Sequence, residues 1–133
     1  MLQYALAYGA TMIAFLLIDY IWLSRVARSF YADRLGALLL EQPRLGMAAG
    51  FYLLYGVGIV VFAVMPGLRA ESARMVMMLG ALLGLVAYGT YDMTNYATLK
   101  NWPLSVVAVD MVWGTLLTAI AALAGYLVAR MLS

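Results

Sequence analysis

The sequence contains no cysteine and no histidine. Disulfides, thiol chemistry, zinc sites of the usual Cys/His type and His-ligated haem are therefore excluded. The commonest general base is missing as well. No haem or zinc cofactor is expected, and no other cofactor can be named from the residues. Charge is scarce too: 11% of the 133 residues are charged, against about 25% in a soluble domain. The eight Lys and Arg residues are scattered and the net charge is only +2, so no basic footprint for nucleic acid exists. What remains for polar chemistry is a few carboxylates with Tyr, Ser, Thr, Asn and Arg.

Apolar residues are abundant. They make up 67% of the chain, and mean hydropathy is +0.96. The solvent implied for most of the chain is lipid. A bilayer core takes about 20 mostly apolar residues per helix. Four segments reach that length: roughly 4–23, 45–65, 74–98 and 104–128. The N-terminal run has no basic residues before it and runs on into Asp19, Tyr20 and Trp22, so it reads as a retained helix, not a signal peptide. Pro66-Gly67 is expected to stop the second span, and Asn101-Trp102-Pro103 to separate the third from the fourth. The fold expected is all-α: a single membrane domain, residues 1–133, of four transmembrane helices.

Residues 25–44 form the one long connection. Val26, Phe30, Leu35, Leu38 and Leu39 fall close to helical spacing, with Arg28, Asp33, Arg34 and Glu41 mostly elsewhere on the wheel. This predicts a short interfacial helix after the first span. The first and third connections carry Arg25, Arg28, Arg34, Arg44 and Lys100, against Arg69, Arg74 and Arg130 on the other side. The excess places those two connections in the cytoplasm and both termini in the periplasm of a bacterial inner membrane. Gly46 to Gly50 and Gly80 to Gly84 are small-xxx-small stretches that allow close helix approach.

Three carboxylates, Asp19, Asp92 and Asp110, lie inside the spans. An Asp near a helix centre costs about 2.5–3.5 kcal/mol on insertion scales, so something must offset each one. Counted from Arg25, Lys100 and Pro103, all three fall roughly 9–12 Å from the same boundary at 1.5 Å per residue. Faces agree with depth. Tyr88, Tyr91, Asp92, Asn95, Tyr96 and Leu99 share one stripe of the third helix, while Val106, Asp110, Trp113, Gly114 and Leu117 share one on the fourth. Tyr8, Thr11, Phe15, Asp19 and Trp22 share a third, on the first helix, and Tyr52 and Tyr55 of the second helix are placed to close the site.

A polar pocket near the cytoplasmic interface is the expectation. Asp92 and Asp110 would act as acid/base or cation-binding pair, with Asp19 tuning their protonation and completing a set of oxygen ligands for a hard cation. Packed carboxylates share protons, which supplies a general acid beside a general base without histidine. Asn95, Tyr88 and Tyr91 would orient a substrate, Trp22 and Trp113 would wall the pocket, and Arg25 and Arg28 would grip a phosphate head group. A lipid or lipid-like molecule suits this arrangement. Three other readings compete with it. The acids can serve as hydrogen-bonded glue between helices, or they can drive a small proton-coupled transporter, as a homo-oligomer. The stripe can also dock the chain as an accessory subunit onto a larger membrane complex.

The stretch GLVAYGTYDMTNYATLKNWPLSVVAVDMVWG, Gly84 to Gly114, together with LLIDYIWL in the first helix, resembles a bacterial membrane-protein family. That family is catalogued as domain of unknown function 2177. The resemblance covers nearly the whole chain. It implies a small integral membrane protein of about four helices and implies no biochemical activity.

Overall fold

A computed structural model describes all of residues 1–133. It contains helices and no strands. Four helices are long and apolar enough to cross a membrane: α1 (Leu2–Val26), α3 (Leu45–Ala70), α4 (Ala73–Thr98) and α5 (Leu104–Leu132). A short helix, α2 (Arg28–Leu35), lies in the first connection. The lipid reading of the composition is visible on the outside. Ile13, Leu17, Met47, Leu54, Phe62, Met78, Val86, Val112 and Leu116 all point outward and exposed, an apolar exterior that a water-soluble monomer does not carry. The chain is a multi-pass membrane protein.

α5 is the central element. It packs along most of its length against α4 and against α1. Lipid tails are as apolar as Leu, so burial alone does not drive helices together, and close approach of backbones does. The sequence supplies it with glycine. A Cβ on Gly84 would lie 2.3 Å from the Gly114 carbonyl oxygen, and one on Gly80 would lie 3.0 Å from Cα of Ala119. The Gly80–Gly84 stretch is thus the α4–α5 seam. Gly125 does the same for α1, where a Cβ would meet Thr11 Oγ1 at 2.1 Å. The other small-residue stretch behaves differently. Nothing lies within 4 Å of a Cβ on Gly46 or Gly50, which face outward on α3.

Three expectations need correction at helix ends. Pro66-Gly67 does not stop α3. A π-turn at Val60–Val64 precedes Pro66, and the Met65 N–H bonds Val60 C=O five residues back. This widened turn accommodates a residue that has no N–H to donate. The helix ends instead at Glu71, in the left-handed region with φ 51°, and Ser72 then caps α4 by accepting the Met75 N–H at 3.0 Å. α1 does not end at Leu23 but runs on as a π-turn through Val26. The interfacial helix is shorter than its apolar spacing predicts. Gly36, at φ 47°, breaks it, so Leu38 and Leu39 leave the stripe that starts at Phe30.

The α4–α5 connection is tight. Asn101 adopts φ 62°, a conformation Asn tolerates better than most residues. Trp102 then packs edge-to-face on Tyr91, with ring centroids 5.7 Å apart. This pins the ends of α4 and α5 that carry Asp92 and Asp110.

Candidate functional site

Asp92 sits on the buried stripe of α4 and is fully buried. Neither of its oxygens has a hydrogen-bond partner. The Asp110 carboxyl is its acidic neighbour across the α4–α5 seam. Two ionised carboxylates cannot bond each other, and an ionised, donor-less carboxylate in this setting is very costly. Two such neighbours can share a single proton. Asp110 also accepts the Tyr31 hydroxyl at 2.9 Å, reaching in from α2. Tyr31 lies outside the spans. Burial, and then the negative charge of Asp110, push its hydroxyl above the ordinary tyrosine range, so it stays a donor.

Asp19 belongs to a neighbouring station. It is 7% exposed and accepts two bonds: Trp113 Nε1 donates at 3.1 Å and the Tyr52 hydroxyl at 3.3 Å. Trp113 stacks in turn on Trp22, with centroids 4.2 Å apart and planes 9° from parallel. The three acids thus share one end of the bundle, as depth counting predicts. They do not form a group of ligands able to hold a metal ion, and the cation-site expectation is corrected. The reason is local. Two donors already hold Asp19, and Asp110 is held by the Tyr31 hydroxyl.

A cleft of about 370 Å³ opens between α3 and α4. Phe51, Tyr52, Tyr55, Ala87, Tyr88 and Tyr91 line it, with Asp110 the one charged residue among them. Phe51 and Tyr91 are more than half exposed at its mouth. Tyr55 and Tyr88 form its deep end. Their rings meet edge-on at 6.4 Å, the Tyr55 hydroxyl bonds Thr118 Oγ1 at 2.9 Å, and the Tyr88 ring lies directly on Gly114. Phe15 of α1 backs both Tyr52 and Tyr55 with edge-to-face contacts of 5.5 and 5.6 Å.

The structure therefore brings Tyr88, Tyr91 and Asp110 to one cleft, with Asp92 behind it. Other candidates lie elsewhere. Trp22 and Trp113 do not wall the cleft. They border a shallow outer groove with Val112 and Leu116, and the Trp113 N–H is used on Asp19. Asn95 is half-buried one turn beyond Asp92 and lines no part of the cleft. Arg25 and Arg28 are exposed at the same end of the bundle and also stay out of it. Sequence reasoning missed Tyr31 and Phe51. Tyr31 lies off the apolar spacing of its connection, and Phe51 reads as one more lipid-facing residue; neither carries a local signal.

A family model described as Predicted membrane protein (DUF2177) matches residues 4–127. No curated protein and no solved structure matches the chain.

Proposed function

Because the chain belongs to this family of predicted membrane proteins, whose description assigns no activity, we propose a function from the site itself. The protein takes a lipid-like molecule from the bilayer into the α3–α4 cleft. The polar head meets Asp110, and the apolar chain leaves past Phe51 and Tyr91 into lipid. The observation that carries this reading is Asp110 itself, a carboxyl set among five aromatic rings in a cleft open at the membrane-facing surface. Pockets for small molecules combine apolar walls with few polar groups in this way, at about 300–1,000 Å³.

Two neighbouring carboxyls can hold one proton between them, which gives the site a further capacity. A hydroxyl or amine on the head group can exchange a proton with the Asp92–Asp110 pair, so the pair handles acid/base work that histidine does elsewhere. By the distribution of Lys and Arg, this end faces the cytoplasm of a bacterial inner membrane and both termini face the periplasm. Transport is the weaker reading. A path to the opposite side has to pass Tyr55 and Tyr88, where the bond to Thr118 and the contact with Gly114 fill the bundle.

Native mass spectrometry in mild detergent tests the proposal. Wild type is compared with Asp110→Asn and with Ala87→Trp, which fills the cleft. A lipid-like adduct on the wild type, depleted in both variants, is the expected result. A bare wild-type protein, or adducts retained equally by all three, overturns it. A larger assembly with no adduct would favour the accessory-subunit role.

A further inference from the structure

The cleft has a charge character as well as a shape. Five of its lining residues, Phe51, Tyr52, Tyr55, Tyr88 and Tyr91, are aromatic, and the sixth that matters is Asp110. No Lys or Arg lines it. The nearest basic residues along the flanking helices are exposed near helix ends: Arg44 precedes α3, and Lys100 follows α4. Aromatic faces present the negative side of a quadrupole, and rings grouped around a site attract an ammonium or quaternary ammonium group. A carboxylate at the same site adds a full negative charge, in surroundings that screen it poorly. An anionic head group would meet the repulsion of Asp110 there with no Lys or Arg to offset it.

Resting on the lipid-like occupant proposed above, we infer that its head is a cation: an alkylammonium or quaternary ammonium group carrying an apolar chain. The rings of Tyr52, Tyr55 and Tyr88 surround the cationic head, and Asp110 balances its charge. Tyr31 holds Asp110 from behind with its 2.9 Å bond, so the carboxyl is positioned before the ligand arrives. Such a head group has two sources, a free amphiphilic amine or the choline end of a phospholipid. Both present the same chemistry to the cleft.

Three probes separate the outcomes, with purified protein in maltoside micelles and intrinsic fluorescence as the readout. They are dodecyltrimethylammonium, its uncharged isostere in which carbon replaces nitrogen, and lysophosphatidylcholine. The wild type should bind the cation at least ten-fold more tightly than the isostere. Asp110→Asn should bring that ratio close to one. Tyr91→Leu, which removes the ring at the mouth together with its edge contact on Trp102, should reduce it several-fold. Competition by lysophosphatidylcholine marks a phospholipid source, and its failure to compete marks a free amine. Equal binding of cation and isostere, abolished for both by Ala87→Trp, would overturn the ammonium inference and leave the lipid cleft standing. Binding of neither, with no adduct in the mass spectrum, would overturn both.

Discussion

The substitution Gly84→Ala tests the helix seam that holds the site. A Cβ at position 84 would sit 2.3 Å from the Gly114 carbonyl oxygen and 2.9 Å from its carbon. Both are backbone atoms inside a helix and cannot rotate away. Ordinary carbon contacts lie at about 3.5–4.0 Å, so α4 and α5 must part by roughly 1 Å locally. Overpacking of this kind costs about 1–3 kcal/mol. Gly46→Ala is the matched control. It lies in the same kind of motif, with nothing within 4 Å of the new methyl group, and should change stability by less than about 0.5 kcal/mol. The assay is denaturant unfolding in maltoside micelles, followed by far-ultraviolet circular dichroism. Gly84→Ala as stable as wild type would refute the close-approach argument. Equal damage from Gly46→Ala would refute the assignment of that face to lipid and show that another chain covers it.

Further outcomes follow from the hydrogen bonds. Trp113→Phe leaves Asp19 with the 3.3 Å Tyr52 bond alone and should destabilise the bundle by about 1–3 kcal/mol in the same assay, whereas Trp22→Phe mainly alters a stacking contact and should cost about 0.5–1.5 kcal/mol. Tyr31→Phe removes the 2.9 Å bond to Asp110, at a cost of about 0.5–1.5 kcal/mol, and should speed limited proteolysis at residues 36–44. Tyr31 also sets a pH dependence. Its folded pKa is raised, so its contribution is intact below the ordinary tyrosine value of about 10 and is lost as pH climbs above that. Protease sensitivity of that connection should rise above about pH 10 in wild type, with no matching rise from this source in Tyr31→Phe.

Much of the architecture was legible because its signals are local. Twenty-residue apolar runs and the Asn101-Trp102-Pro103 break each depend on a few neighbouring residues. Depth counting from Arg25, Lys100 and Pro103 also worked, because rise per residue is constant in a helix, and it brought Asp92 and Asp110 to one layer. Partner choice was not legible. Asp19 and Asp110 each have a Trp three residues on, yet Trp113 serves Asp19 on another helix, through rotations that no single-helix pattern specifies. The two glycine stretches look alike in sequence, but Gly84 meets a backbone and Gly46 meets nothing. The π-turn before Pro66 was hidden as well, since a widened turn leaves the apolar pattern of Val60–Val64 unchanged.

The carboxyl pair has a consequence for how the chain enters the bilayer. Asp92 and Asp110 belong to consecutive helices joined only by residues 99–103, a connection already braced by Trp102 on Tyr91. Delivered separately, each acid carries its own insertion penalty, about 2.5–3.5 kcal/mol. Delivered as a hairpin, the two acids arrive as neighbours able to share a proton, which leaves one negative charge to partition in place of two. The glycine seam at Gly80, Gly84 and Gly114 brings the two helices of that hairpin into contact without help from the first two membrane helices. Chain order thus has a bearing on insertion: the acids that make the site expensive to insert lie on consecutive helices, and one proton between them lowers the charge that must cross.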